Sequence, residues 1–325
     1  VSVQQREIFY VENSVGGDVT VVDIASRQVI DTIQIGDHPD DVISNRAGDR
    51  LYLSVIKGHH EEPNQDQVED PGEVVCVDAH THDILWCLPV SGTPHHPTLS
   101  ADDRLLFQPI FNTNYLEVID VDAPATIKKI PVGRGSHGTR LTVDGKRLYV
   151  GCMFSDQITV VDTETFDIQK HILFPEAVRP FSLTSDEKRL FAQLSKLHGF
   201  VEVDLTTDQI IRQIDLPDLG FDLGQLDWPH TVNHGLNITS DDRLLFAAGS
   251  AAHYVCVYEL PDLKMVAQIP TGKEPNWVIF SKNESLAFVS CRASDEVSVI
   301  SVRDLNEIDR LKVGDYPQRM TTVLK

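Results

Sequence analysis

An aromatic residue returns at near-regular intervals along the whole chain: Phe9, Tyr52, Phe107, Tyr149, Phe191, Phe246 and Phe288, spaced by 43, 55, 42, 42, 55 and 42 residues. A second marker keeps step with it. Asp23, Asp78, Asp120, Asp162, Asp204, Glu259 and Ser301, spaced by 55, 42, 42, 42, 55 and 42, each close a run rich in β-branched residues such as Val19 to Asp23 (VTVVD) or Ile158 to Asp162 (ITVVD). A period of this size marks a repeated supersecondary unit that buries its faces against its neighbours. Each unit reads as an aromatic-bearing strand, a polar loop, an alternating strand ending in an acid, a short turn and a further strand, with no helix-period pattern. Seven units predict an all-β fold, a seven-bladed β-propeller of four-stranded antiparallel blades.

The two ends share one blade. Tyr316-Pro317-Gln318-Arg319 matches the start of a unit, whereas Ile8-Phe9-Tyr10-Val11 matches its second strand. The C-terminal strand is therefore expected to complete the N-terminal blade and remove the open edge that a ring of sheets would otherwise expose. The repeat spans residues 1–325, which reads as a single propeller domain.

Composition narrows the partners. Lys and Arg number 28 against 49 Asp and Glu, a formal charge of −21 with no clustered basic stripe, so the chain repels nucleic acid rather than steering it in. No apolar run approaches the roughly 20 residues of a membrane span, and Val1 to Tyr10 lacks the pattern of a secretory signal. A periplasmic or secreted location would require a signal removed beforehand; otherwise a cytoplasmic one is expected. The five cysteines (Cys76, Cys87, Cys152, Cys256, Cys291) form no C-x-x-C pair, which leaves buried free thiols. Cys76 and Cys87 would face each other if their hairpin turns at His80 to His82, so one disulfide stays open.

Arg147 to Gly151 (RLYVG) followed by the ITVVD run, and Lys312 to Pro317 (KVGDYP), make the chain similar to the YVTN family of β-propeller repeats. The resemblance covers essentially the whole chain and implies the fold. It implies little about activity, because the family includes enzymes, binding proteins and surface-layer proteins.

In such a blade the connection to the next blade and the loop between second and third strands lie on one face, with the other two turns opposite. Both 55-residue spacings come from insertions assigned to that first face, at about 56–72 and 216–232. Ten of the 13 histidines (His38, His59, His60, His95, His96, His137, His198, His230, His234, His253) fall on it too. Imidazole ligates metals and transfers protons near neutral pH, so this enrichment suits a metal or acid-base site. Long loops of this kind are commonly functional, and His59, His60, Glu61, Trp228 and His230 are candidates for a lid. A solvated acidic loop is the alternative for the first insertion.

Alignment on the residue after the blade-start proline gives Asp40, His95, His137, Arg179, His234, Asn276 and Gln318, all polar and all expected to converge at the channel mouth. Candidate metal ligands are His95, His137 and His234; as an all-imidazole set they suit copper or zinc better than calcium. His38, His96 and Glu274 are candidates for proton transfer. Asp40, Arg179, Asn276, Trp277, Tyr316, Gln318 and Arg319 are candidates for binding a polar or anionic substrate. Pro-His-Gly is common at this place in YVTN repeats, so a structural role for the histidines stays open, as does a salt bridge from Arg179 or Arg319 to Asp40, Asp41 or Glu274.

The leading expectation is a small-molecule enzyme, a metal-assisted hydrolase, lyase or oxidoreductase with a divalent copper or zinc ion. Two alternatives stand beside it: a non-catalytic ligand-binding or protein-interaction scaffold, and a metal-free lyase or lactonase with histidine as general base. No phosphate loop, dinucleotide fingerprint or Ser-His-Asp spacing is present, so no nucleotide cofactor is expected.

Overall fold

Apolar residues on both sides of a strand have to be covered on both sides, and the second and third strands of every unit carry them in near-continuous runs. In the computed structural model, which describes residues 6–58, 71–217 and 231–325, the result is seven four-stranded antiparallel sheets arranged in a ring. Along Glu7–Asn13, Ile8 and Tyr10 pack with Leu51, Leu53, Val75 and Val77 of the second blade. Phe9 and Val11 point the other way and pack with Phe288, Val297 and Val299 of the seventh. The Phe9 and Phe288 rings stack with centroids 4.5 Å apart. The core is thus a ring of inter-blade layers, while outermost strands such as Gln28–Gln34 are largely exposed.

All seven aromatic markers lie on second strands, and the six acids and Ser301 of the second marker end third strands. The second marker has a local cause. Asp162 accepts backbone N–H bonds from Glu164 (3.0 Å) and Thr165 (2.9 Å), and Asp78, Asp120, Asp204 and Asp23 hold the same turn in their own blades. In the last blade Ser301 Oγ accepts from Asp304 N (3.2 Å). A short side chain that bonds its own backbone two or three residues on is what such a turn selects.

The first blade is built from both ends of the chain. Pro317–Leu324 pairs antiparallel with Glu7–Asn13, Ile8 opposite Val323 and Tyr10 opposite Thr321. No helix among the described residues is long and apolar enough to cross a membrane.

The disulfide left open between Cys76 and Cys87 is not formed. The hairpin register sets Trp86 opposite Cys76 and Val75 opposite Cys87. A one-residue offset turns two side chains to opposite faces of a sheet. Cys76 is therefore buried, Cys87 is exposed, and all five thiols are free.

Candidate functional site

The first strand of each blade lines the central channel, and near its start the ladder breaks. Pairing with the second strand jumps from Pro39 to Asp41, from Ser136 to Thr139, from Val178 to Phe181 and from Pro275 to Trp277, while in the first blade it jumps between Met320 and Pro317. The residues stepped over include Asp40, His137, Arg179, Asn276 and Gln318. His95 and His234 precede the first regular pairs of their blades, Thr98 with Phe107 and Leu236 with Ala247. Five members of the predicted polar ring are thus residues that the ladder steps over, and a bulge is what re-aims such a side chain, while His95 stands beside an isolated bridge with its N–H on the Pro109 carbonyl. All seven are buried, at 9% relative exposure or less.

Three histidines of neighbouring blades converge. His95, His96 and His137 each offer a ring nitrogen within 4.8 Å of the others. Ring centroids are 5.0 Å apart for His95 and His137 and 4.5 Å for His96 and His137. His234 stands beside them, 5.9 Å from His137, with Nδ1 3.0 Å from the Asn276 carbonyl. Of the three expected ligands the structure brings His95 and His137 into one group, and the third member is His96 rather than His234.

Two carboxylates back this group. His96 Nδ1 shares a hydrogen bond with Asp41 Oδ2 at 3.2 Å. His95 Nδ1 is 3.0 Å from Asp40 Oδ2 but without the alignment of a hydrogen bond, so both atoms stay buried and unsatisfied, as does His95 Nε2. The backbone beneath is clamped from three blades: Ser54 Oγ (2.7 Å) and Gln108 Nε2 (2.6 Å) donate to the His95 carbonyl, and Thr139 Oγ1 donates to that of His96 (2.9 Å). Burial first, and then neighbouring cations and imidazoles, hold His96, His137 and His234 well below the ordinary histidine range, so these rings are neutral at pH 7. Burial also pushes Asp41 up to about 7 against the pull of Arg319.

Below the ring the channel continues with residues one and three positions further along the same strands. Asp41, His96, Trp277 and Arg319 form one tier, and Ile43, Thr98, Arg140, Asn237 and Ile279 the next. Together they line a cavity of about 430 Å³ whose far end is bordered by Ser44, Arg46, Ser100 and Asp103, in the turns of the face opposite the insertions. The Arg319 guanidinium lies on the Trp277 ring, 3.3 Å from its centroid, and that of Arg140 is 5.0 Å away. The salt bridge left open for Arg319 is not formed among the described residues: its Nε and Nη1 are buried without partners, and its backbone N–H donates to Glu12 Oε1 at 2.9 Å. Glu12, fully buried on a second strand, is held well above the carboxylate range by burial and by Asp40.

The remaining candidates stand elsewhere. His38 Nδ1 bonds the Ser14 carbonyl at 3.0 Å on the rim. Glu274 is half exposed, 3.9 Å from Arg292, whose guanidinium lies over the Tyr316 ring. Arg179 donates Nε to Ser195 Oγ at 2.7 Å within the ring. His59, His60, Glu61, Trp228 and His230, offered as a lid, lie outside the described residues. Sequence reading passed over Arg140 and Glu12 and gave Asp41 only as a salt-bridge partner. Continuing the blade alignment three residues past the ring would have found Asp41 and Arg140, whereas Glu12 shows only as an acid in an otherwise apolar strand.

No family model and no curated protein matches the chain, so the likeness to YVTN repeats rests on its motifs. Solved structures match over nearly its full length. A protein from Bacteroides uniformis, provisionally described as a 6-phosphogluconolactonase, superposes with a TM-score of 0.78 at 12% identity over 98% of this chain and 100% of its own. The periplasmic gluconolactonase of Pseudomonas aeruginosa does so at 0.74 and 16% identity over 98% and 99%. A dihydro-heme d1 dehydrogenase matches at 0.67 and 14% identity over 94% of this chain and 63% of its own. At these identities the likeness establishes the propeller.

Proposed function

We propose that the channel is the active site of a lactonase-type hydrolase acting on a small polar or anionic substrate, with a divalent metal, zinc or copper, at His95, His96 and His137. The observation that carries this reading is the convergence of three imidazoles, two of them backed by buried carboxylates. At His96 the hydrogen bond from Nδ1 to Asp41 fixes the tautomer and leaves Nε2 bare for a ligand, the usual arrangement behind metal-binding histidines, and at His95 the Asp40 carboxylate stands 3.0 Å behind Nδ1 without that bond. Neutral imidazole is the ligating form, and burial supplies it here. Three imidazoles with an open position suit zinc or copper better than a hard cation. Bound there, the metal would supply Lewis acidity toward a lactone carbonyl or an attacking water. With a metal on His96 Nε2, the Nδ1 proton faces Asp41 across their 3.2 Å contact, and the Asp41 carboxylate is the group that would take a proton from water and return it to the departing alkoxide. Arg179, in the same ring, is the group to hold an anionic substituent. The names of the superposing gluconolactonases agree with this substrate class.

The test is elemental analysis of untagged protein combined with hydrolysis of aldonolactones followed by proton release. One metal per chain, activity lost on chelation and restored by zinc or copper, and loss of both metal and activity in His137→Ala are expected. Lactone hydrolysis that survives chelation would replace the metal with the His96–Asp41 pair acting alone. Absence of stoichiometric metal, no change in melting on adding zinc or copper, and no hydrolysis would refute the proposal.

A further inference from the structure

We infer that the lower half of the channel is a binding site for a small oxyanion, a carboxylate or phosphoryl group, entered from the face opposite the insertions. The Arg319 guanidinium, 2% exposed, stacked on Trp277 and carrying two unsatisfied buried N–H groups, is costly to bury unless a negative group meets it. Among the described residues no carboxylate forms an ion pair with it or with Arg140, which lies on the same tryptophan and lines the same cavity. Arg46 borders the open end. Three arginines therefore surround a space of about 430 Å³ in a chain whose net charge is −21. Two acids also line it, and both have other partners: Asp41 meets His96, and Asp103 accepts the Arg46 backbone N–H at 2.9 Å.

The size is that of a small-ligand pocket. Guanidinium groups with no protein acid bonded to them recognise planar or tetrahedral oxyanions through paired N–H donors. Ile43, Leu99, Ile279 and Met320 on the remaining wall accommodate a short carbon body. The site lies beneath His96 and depends on neither a metal nor turnover.

Calorimetric titration with inorganic phosphate, and separately with gluconate, tests it. Saturable binding of at least one is expected, and which one binds separates a phosphoryl from a carboxylate ligand. Affinity should fall about tenfold or more in Arg140→Gln and in Arg319→Lys, the loss of one charge-assisted contact. Arg104→Gln, an exposed arginine of the same face outside the cavity, should bind as the parent does. Arg140 is only partly buried, so its variant keeps the test valid if Arg319→Lys fails to fold. Binding of neither anion, unchanged affinity in Arg140→Gln, or loss in Arg179→Gln without loss in Arg140→Gln would overturn the inference. Because the readout is binding, it stands or falls separately from lactone hydrolysis.

Discussion

Ile8 and Val323, at opposite ends of the chain, are paired across the first blade, and each is 1% exposed. The ring is held shut by this pairing and by the side chains that Pro317–Leu324 contributes to two inter-blade layers, Met320 on one side and Val323 on the other. Deleting residues 320–325 should lower the melting temperature sharply, and Val323→Ala alone should cost about 1–2 kcal/mol. A truncated protein with an unchanged thermal transition would show that closure lies elsewhere.

Thiol chemistry reads the Cys76 and Cys87 offset directly. Cys76, Cys152 and Cys256 are buried with their thiols pushed up to about 12, and Cys291 is buried as well. A chromogenic disulfide reagent should therefore titrate one thiol per chain at pH 8, assigned to Cys87 by its loss in Cys87→Ser, and five after denaturation. A second fast thiol in the native state, lost in Cys76→Ser, would contradict the register.

The acid at the end of the third strand should leave a pH signature. Backbone N–H bonds from Thr165 and Glu164 hold Asp162 below the usual carboxylate range. Its folded-state pKa is depressed, so the stabilisation is fully present above the unfolded value and is lost as pH falls through the folded one. Asp162→Asn should melt below the parent at pH 7, and the gap should narrow on acidification below about pH 4. A gap constant with pH would mean that the turn does not depend on charge.

Ring positions should differ in what they cost the fold. Asn276 Oδ1 is buried without a partner, so Asn276→Ala removes an unsatisfied group and should change stability by less than about 1 kcal/mol in chemical denaturation. Ser54→Ala deletes a donor to the His95 carbonyl and should cost more, about 1–2 kcal/mol.

Metal affinity should separate the two neighbouring histidines. His137→Ala removes one of the proposed ligands and should abolish stoichiometric zinc, whereas His234→Asn, 5.9 Å from His137 and tied to the Asn276 carbonyl, should weaken zinc by less than about tenfold. Equal losses in a competition titration would place His234 among the ligands.

Blade count and the ends of the third strands were legible because each has a local chemical cause: an aromatic between layers at Phe107 and an Asx turn at Asp162. What escaped depends on geometry that adjacent letters do not carry. The third member of the histidine group is His96 because it follows His95 on a segment clamped from three blades, and no spacing rule distinguishes it from His234. The Cys76 offset comes from a bulge between Cys76 and Val77 that a symmetrical hairpin reading cannot see. Arg319 meets an aromatic face instead of an acid because Trp277 of the adjacent seventh blade stands beside it.

The bulges have an evolutionary consequence. At Asp40, His137, Arg179, Asn276 and Gln318 the hydrogen-bond ladder passes over a buried residue of the innermost strand, so pairing with the second strand does not itself depend on which side chain stands there. Mutations at these positions can be sampled at little folding cost while the interlocked layers behind them stay under constraint. That separation makes the hub the natural place to introduce substitutions while keeping the propeller, an architecture shared with solved structures at 12–16% identity.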